Sequence, residues 1–334
     1  MTLRHKFLGA AATLALTAGA ALAEPALIYD LGGKFDKSFN EAAFNGAERW
    51  AEETGGTYRE IELQSEAQRE QALRRFAEAG SNPVVTTGFA IASAIEEVAP
   101  DYPDTKFVNI DGFLPEIPDN VQMISFQEHQ GSYLVGMMAA MASESGTVGF
   151  IGGMDVPLIR HFGCGYAQGA KAVDEDIEII ANMTGTTPSA WNDPVKGSEL
   201  AKAQISQGAD VIYAAAGGTG VGVLQTAADE DILSIGVDSN QNHLHPGKVL
   251  TSMLKRVDVA VYNAMKAGED LETGTSQVLG LAEEGVGVAM DENNAELVSD
   301  EMMAAVKEAR QKIIDGEIDV VSYYANDSCP VLNF

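Results

Sequence analysis

The stretch LIYDLGGKFDKSFNEAAFNGAERW, residues 27–50, predicts a buried strand that turns straight into a helix. The apolar run ends at Asp30, and two glycines follow shortly after it. Ser38 and Glu41 match the S-x-x-E capping box, so we expect the helix to start at Ser38. Phe39 would then lie on the first helical turn and face the end of the strand. A strand joined to a helix in this way is the repeating unit of parallel α/β sheets.

The same rhythm continues along most of the chain, where short apolar runs alternate with amphipathic stretches. Many of the apolar runs are nearly continuous Val and Ile, as strands buried on both faces require. The expected strands are Ala26–Leu31, Tyr58–Leu63, Val84–Thr87, Lys106–Ile110, Met123–Phe126, Val148–Ile151, Ile177–Met183, Ala209–Ala215, Ile232–Asp238 and Val249–Met253. The amphipathic stretches include Glu41–Glu53, Ala67–Glu78 and Ser198–Gln207. This alternation predicts parallel sheets with right-handed crossovers.

The rhythm occurs twice in the chain. The stretch GTVGFIGGMDVPLIRHF, residues 146–162, repeats the order of strand, Gly-Gly, acid and helix seen near the start. We therefore predict an α/β fold of two doubly wound, parallel-sheet lobes with a cleft between them. Ligands of open α/β sheets bind outside the carboxyl ends of the strands. Functional residues are expected at those strand ends.

Acids and glycines do recur at the ends of the predicted strands. A single acid in such a place is usually a helix cap or a turn residue. Repetition at the same topological position favours a ligand-binding site instead. The candidates at or just after strand ends are Asp30, Phe89, Asp111, Met154, Gly217, Gly218, Asp238 and Lys255.

Phe39 has two interpretations that its local sequence leaves open. It can pack into the core as a hydrophobic staple. It can also offer its flat face to a flat ligand, with Asp30 beside it to accept hydrogen bonds. Gly32 and Gly33 would let the backbone pass close to such a ligand.

The composition excludes several classes of function. The chain has 21 Lys and Arg against 49 Asp and Glu, a formal net charge of −28, which would repel nucleic acid and anionic membrane surfaces. It has no metal-ligand spacing, no G-x-G-x-x-G turn after the first strand and no G-x-S-x-G elbow. We therefore expect a binding protein and not an enzyme, with no metal and no cofactor.

Residues 1–23 are typical of a secretory signal peptide. Arg4 and Lys6 precede an apolar run, and Ala21-Leu22-Ala23 matches a cleavage signal. No cysteine stands at the cleavage site, so we expect no lipid anchor there. Cys164 and Cys329 are the two cysteines of the chain, and export permits a disulfide bond between them. Two buried free thiols are the alternative, and the sequence leaves both open.

Seven stretches resemble the basic membrane protein family, in order and over nearly all of the chain after residue 23. They are DLGGKFDKSFNEAAFNG, GFAIASAIEEVAPDYPDTKFVNIDG, QGSYLVGMMAA, VGFIGGMDVPLIRHFGCGYAQGAKAV, WNDPVKGSELA, QGADVIYAAAGGTGVGVLQTA and GVDSNQ…GKVLTSMLKRVDVAVYNAM. These proteins are substrate-binding proteins of ABC transporters, similar to PnrA-type purine nucleoside receptors. The resemblance implies the type I periplasmic-binding-protein fold with a hinged cleft. Lobe 1 would comprise residues 24–127 and about 257–290, and lobe 2 residues 128–256 and about 291–334, with hinges near residues 127, 256 and 290.

The resemblance also assigns roles to residues of the cleft. The family clamps a purine between two aromatic side chains, which here correspond to Phe39 and Trp191; Trp191 stands where the family motif has Phe. Asp238 and Lys255 would face the ribose hydroxyls. The residues expected nearer the base are Asp30, Asn40 and Asp111, and Gly217 and Gly218 match a glycine-rich family motif.

The function implied by the resemblance is capture of a purine nucleoside in the periplasm and its delivery to permease subunits in the inner membrane. Guanosine, adenosine and inosine all fit this expectation. The protein would be a freely diffusing monomer, although family members often carry a lipid-modified cysteine. A receptor of the same fold for a free purine base, a sugar or another polyol stays open as the alternative.

Overall fold

The computed structural model describes residues 23–334. The predicted signal peptide, residues 1–23, lies outside the described residues except for Ala23. Strands are numbered β1–β12 and helices α1–α9 in chain order. Two six-stranded sheets form the described part of the chain, one in each lobe.

The sheet of lobe 1 has the order β11-β5-β4-β3-β1-β2, and all its strands are parallel. Its strands are β1 Ala26–Tyr29, β2 Arg59–Glu62, β3 Val84–Thr87, β4 Phe107–Ile110, β5 Val121–Phe126 and β11 Thr275–Leu279. The helices of this lobe are α1 Phe39–Thr54, α2 Gln68–Glu78, α3 Ala92–Val98 and α8 Val257–Ala267. Leu27 and Tyr29 pack in one apolar cluster and Ile28 in another, so β1 is buried on both faces, as its apolar run predicts.

The sheet of lobe 2 has the order β12-β10-β9-β8-β6-β7. Its strands are β6 Thr147–Met154, β7 Glu178–Gly185, β8 Val211–Ala215, β9 Leu233–Asp238, β10 Val249–Lys255 and β12 Val286–Val288. The helices of this lobe are α4 Glu128–Ala142, α5 Pro157–Val173, α6 Pro194–Ser206, α7 Gly218–Asp229 and α9 Asp300–Ile314. The predicted fold class of two doubly wound lobes is confirmed, and each of the ten expected strands has a counterpart.

Two edge strands depart from the prediction. Neither β11 nor β12 was expected from the sequence. The residues of β11, Thr275–Leu279, are mostly exposed, and β12 is only three residues long. β12 runs antiparallel to β10, so the sheet of lobe 2 is not purely parallel. Because β12 belongs to lobe 2, the third crossover lies between Leu279 and Val286 and not near residue 290. The other two crossovers follow β5 and β10, next to residues 127 and 256.

The cap of α1 also differs from the predicted capping box. The Ser38 side chain makes no capping hydrogen bond to the helix. Asp36 takes this role, because its carboxylate accepts hydrogen bonds from the backbone N–H groups of Ser38, Asn40 and Glu41 at 2.8–3.1 Å. A carboxylate on these donors also suits the positive end of the helix dipole. The Ser38 hydroxyl is thereby free to bind elsewhere.

Ser38 instead joins the two lobes. Its Oγ donates to Asp238 Oδ2 at 2.5 Å, and its backbone oxygen accepts from Ser239 Oγ at 2.8 Å. Gln241 Nε2 adds a hydrogen bond to the backbone oxygen of Lys37 at 3.0 Å. The start of α1 in lobe 1 therefore contacts the end of β9 in lobe 2, and the lobes are closed on each other.

A disulfide bond ties the C-terminal segment to lobe 2. Cys164 lies fully buried on α5, and its sulfur is 2.14 Å from that of Cys329, which is 165 residues further along. Gln168, one turn after Cys164, exchanges two hydrogen bonds of 2.9 Å with the backbone of Val321. The segment after α9 therefore packs along α5.

The disulfide predicts a thiol content and a stability change. The denatured, unreduced protein should contain no reactive thiol, and titration with a thiol reagent measures this. Cys329→Ser should lower the free energy of unfolding by at most about 5 kcal/mol, the chain-entropy limit for so long a loop. The neighbouring substitution Ser328→Ala is the control and should leave denaturant unfolding nearly unchanged. Two reactive thiols per parent chain would contradict the bond.

Closure of the lobes should depend on Ser38. Ser38→Ala removes a hydrogen bond whose acceptor, Asp238, stays buried, which destabilises the closed form by about 1–3 kcal/mol. Small-angle X-ray scattering of the ligand-free variant should therefore give a larger average radius of gyration than the parent. Ser206→Ala, an exposed serine of α6, is the matched control. Identical radii for Ser38→Ala and the parent would show that this contact does not hold the lobes together.

Candidate functional site

A cavity lies between the two lobes at the carboxyl ends of their strands. Its empty space is about 640 Å³, including the part that is open to solvent. Lobe 1 contributes Asp30, Leu31, Gly32, Asp36, Phe39, Asn40, Gly88, Phe89 and Asp111 to its walls. Lobe 2 contributes Leu158, Ile159, Phe162, Trp191, Ala215, Gly217, Val237, Asp238 and Lys255.

Most of the residues expected from the sequence line this cavity. The exceptions are Met154, which ends β6, and Gly218, which begins α7 directly after the lining residue Gly217. The sequence reasoning missed Phe162 and its neighbours Leu158 and Ile159. A signal for them was present, since Leu158 and Phe162 are four residues apart and so share one face of α5.

Asp111 and Asp238 hold matching positions in the two lobes. Asp111 directly follows β4 and Asp238 is the last residue of β9. Both have positive φ, 74° and 63°, in the left-handed region that aspartate tolerates better than most residues with a side chain. Backbone of this kind concentrates at functional sites, where the surrounding structure holds it in place. The tight turn at each strand end keeps both carboxylates at the cavity wall.

Lys255 is a buried cation at the same wall. Its side chain is 2% exposed, and its Nζ lies 2.5 Å from Asp111 Oδ2 and 3.0 Å from Glu128 Oε1. Burial alone would lower the pKa of Lys255, but the charges of Asp111, Glu128 and Asp238 outweigh it and raise that pKa. The ammonium is therefore charged, and one cation faces three carboxylates.

The carboxylates around Lys255 are themselves shifted. Burial raises the pKa of Glu128 to about 7 and that of Asp238 to about 6, and Lys255 acts in the opposite direction on both. Burial also raises the pKa of Asp111. Asp111 Oδ1 is buried and has no hydrogen-bond partner among the described residues. Since a buried acceptor without a donor is unfavourable, this oxygen is suited to accept a hydrogen bond from a ligand.

Aromatic rings surround the ammonium. The Nζ of Lys255 lies 5.1 Å from the ring centroid of Phe39, 5.1 Å from that of Phe126 and 5.3 Å from that of Phe162. These distances suit cation–π attraction. Phe39 is half-buried, packs on the core and also lines the cavity, so both interpretations of its role have a structural basis.

Trp191 forms part of the wall in lobe 2 and is firmly placed. A Cβ on Gly153 would lie 2.2 Å from a ring atom of Trp191, so the indole packs directly on the backbone of that glycine. Thr219 Oγ1 donates to the backbone oxygen of Ala190 and accepts from the N–H of Asp193, both at 2.7 Å. The backbone on both sides of Trp191 is thus held by one buried hydroxyl.

Asp30 and Asn40 line the cavity but already have partners within the protein. Arg69 binds Asp30 through two hydrogen bonds, at 3.0 and 3.2 Å. Asn40 Nδ2 donates to the backbone oxygens of Asp30 and Gly33, and its Oδ1 accepts from Thr87 at 2.8 Å. Arg69 was not among the expected residues, and the free acceptor capacity of Asp30 is smaller than the sequence suggests.

Metal-binding clusters and membrane-spanning helices are both absent from residues 23–334. Within that range, no group of three or more His, Cys, Asp or Glu side chains is arranged to hold a metal ion. None of the helices in this part of the chain has the length and apolar character needed to cross a membrane.

Comparison with known proteins agrees with this architecture. The model of the Bmp family, described as PnrA-like substrate-binding proteins of ABC transporters, matches residues 26–323. BmpA of Lactococcus lactis, named as an ABC transporter nucleoside-binding protein, is 31% identical over 89% of this chain and 88% of its own length. A crystal structure of a solute-binding protein of an ABC transporter system from Aeropyrum pernix K1 aligns with a TM-score of 0.82 at 30% identity, covering 91% of this chain and 95% of that one.

A relative from Pyrococcus abyssi is named an uncharacterised lipoprotein. It is 33% identical over 86% of this chain and 78% of its own length. The absence of a lipid anchor, expected from the sequence, therefore stays a prediction. With a family model that spans nearly all of the described residues, the chain belongs to the Bmp family of PnrA-like, extracytoplasmic substrate-binding proteins of ABC transporters, which have the type I periplasmic-binding-protein fold.

Proposed function

We propose that the protein binds a purine nucleoside of the guanosine, adenosine or inosine type in its cleft, in the periplasm, and delivers it to the permease of an ABC importer. The observation that carries the proposal is the buried Oδ1 of Asp111, which has no hydrogen-bond partner within residues 23–334. It lies beside the Lys255 ammonium, in a cavity walled by Phe39 and Trp191. The name of the Lactococcus lactis relative supports a nucleoside as the ligand class.

The chemistry of the walls supports both halves of a nucleoside. Carboxylates accept hydrogen bonds from the hydroxyls of a vicinal diol or from a base N–H, and charged acceptors form the stronger bonds. In this proposal Asp238 and Lys255 contact the ribose, while Asp111 and Asp30 lie nearer the base. Aromatic stacking contributes about 1–3 kcal/mol per base in nucleic-acid complexes. Stacking on Phe39 and Trp191, together with several charged hydrogen bonds, is sufficient for sub-micromolar binding, which requires about 8 kcal/mol or more.

A free purine base, or a sugar or other polyol, is the second candidate ligand. The buried charges around Lys255 favour the sugar or polyol, because they can bind its hydroxyls without any contribution from the aromatic walls. A thermal-shift screen against nucleosides, bases and sugars separates the candidates, since at equal concentration the tighter ligand stabilises the folded state more. Incubation with nucleosides, followed by a search for released base, tests the proposal that the cleft binds without catalysing a reaction.

Trp191 should dominate the fluorescence response to the ligand. Trp50 and Trp191 are the two tryptophans, and Trp50 lies well along α1, where its ring approaches Gly56. Trp191→Ala should raise the dissociation constant about 5- to 150-fold, because a stacking surface worth about 1–3 kcal/mol is lost. Trp50→Phe is the matched control and should bind nearly as the parent does. Parent-like affinity in a folded Trp191→Ala protein would refute the aromatic clamp.

The cleft should reject nucleotides. A phosphate would enter a site in which Asp111, Asp238 and Glu128 surround a single buried cation. Like charges about 4 Å apart at an effective dielectric near 20 repel by about 4 kcal/mol, roughly a thousandfold in affinity. Isothermal titration with guanosine and with guanosine monophosphate measures the difference. Comparable affinities for the two would mean that the carboxylates do not face the ligand.

A further inference from the structure

Glu128 is a buried carboxylate that does not line the cavity. It is the first residue of α4, directly after the first crossover between the lobes, and it is 1% exposed. Its Oε1 lies 3.0 Å from Lys255 Nζ. Its Oε2 is buried and has no hydrogen-bond partner among the residues that the structure describes. Only one of the two Glu128 oxygens therefore contacts Lys255.

The imidazole of His161 faces the unused oxygen. His161 Nε2 lies 3.9 Å from Glu128 Oε2, about 1 Å beyond a hydrogen bond, and its side chain is 2% exposed. Burial, together with the neighbouring His129 and Lys255, lowers the pKa of His161 to about 2, so the ring is neutral.

The C-terminal segment determines which ring nitrogen of His161 carries the proton. The backbone N–H of Tyr323 donates to His161 Nδ1 at 3.2 Å. Nδ1 is therefore the acceptor, and in a neutral ring the single proton must be on Nε2. The N–H is then on the ring nitrogen that lies 3.9 Å from Glu128 Oε2. The segment that supplies Tyr323 is the one that the Cys164–Cys329 bond ties to α5.

We propose that Glu128 and His161 are positioning residues for the ligand site: the Nε2–H of His161 orients Glu128, and Glu128 holds the Lys255 ammonium toward the cleft. This inference rests on the proposed function only in assigning a nucleoside to the site. An ammonium has three donors, and Asp111 and Glu128 engage two of them, which directs the third toward a ligand. Without Glu128, the long and flexible lysine side chain loses one of its two fixed contacts.

Three isosteric substitutions test the proposal. Glu128→Gln keeps the shape, but its NH₂ group must face either the ammonium or the imidazole N–H, so it cannot accept from both. His161→Gln places a donor where Nε2 is and keeps the contact to Glu128. His161→Asn places an acceptor where Nδ1 is, keeps the contact to Tyr323 and loses the donor toward Glu128. Glu175→Gln, an exposed carboxylate of lobe 2, is the control.

The first readout is affinity for inosine and for 2′,3′-dideoxyinosine, which lacks the hydroxyls proposed to contact Lys255. Glu128→Gln and His161→Asn should raise the dissociation constant for inosine about tenfold, the effect of losing one charged hydrogen bond. The affinity of these two variants for dideoxyinosine should change by less than about threefold. His161→Gln and Glu175→Gln should change the affinity for either ligand by less than about threefold. Equal losses for the two ligands, or equal effects of His161→Asn and His161→Gln, would overturn the proposal.

The second readout needs no ligand. The ammonium signal of Lys255 in ¹H–¹⁵N spectra, assigned by its loss in Lys255→Gln, should shift in Glu128→Gln and His161→Asn but not in His161→Gln. A parent protein that binds no nucleoside would refute the proposed function, while this spectrum would still decide the inference. An unchanged ammonium signal in Glu128→Gln would refute the positioning role whatever ligand binds.

Discussion

The buried ammonium of Lys255 is the constraint on which the cleft depends. Removing an ammonium from water costs several kcal/mol even after the protein relaxes, so the charge must be matched by carboxylates with good geometry. One of them, Asp111, comes from lobe 1, while Glu128, Asp238 and Lys255 itself come from lobe 2. The ion cluster is therefore complete only when the two lobes are together. Three of these charged side chains, Asp111, Asp238 and Lys255, therefore line the binding cleft and also hold the two lobes together.

The apolar rhythm of the sequence was sufficient to predict the sheets, because central parallel strands must be apolar on both faces and their composition shows it. The edge strands β11 and β12 carry no such signal, since Thr275–Leu279 is largely exposed. At the site, residues at strand ends could be predicted because parallel topology brings those ends to one edge of each sheet. Glu128 and Arg69 could not be predicted, because their roles depend on contacts with Lys255 and Asp30, which lie on elements remote in sequence.

The capping of α1 shows how a local motif can be present and still serve another purpose. Ser38 and Glu41 have the spacing of a capping box, but Asp36 satisfies the first N–H groups of the helix. Its carboxylate accepts three hydrogen bonds and leaves Ser38 available to Asp238. Sequence spacing cannot distinguish these two arrangements, because both satisfy the same backbone donors.

The hydrogen bond between Ser38 and Asp238 has a consequence for the rate of transport. It joins protein groups alone, so part of the closure free energy is independent of cargo. Each 1.4 kcal/mol of such stabilisation raises the ratio of closed to open empty receptor tenfold. An importer that recognises the closed shape would then be occupied by receptors carrying nothing, in competition with loaded ones. The stronger the protein–protein contacts that close the empty cleft, this one among them, the fewer receptors per transporter are needed before uptake slows.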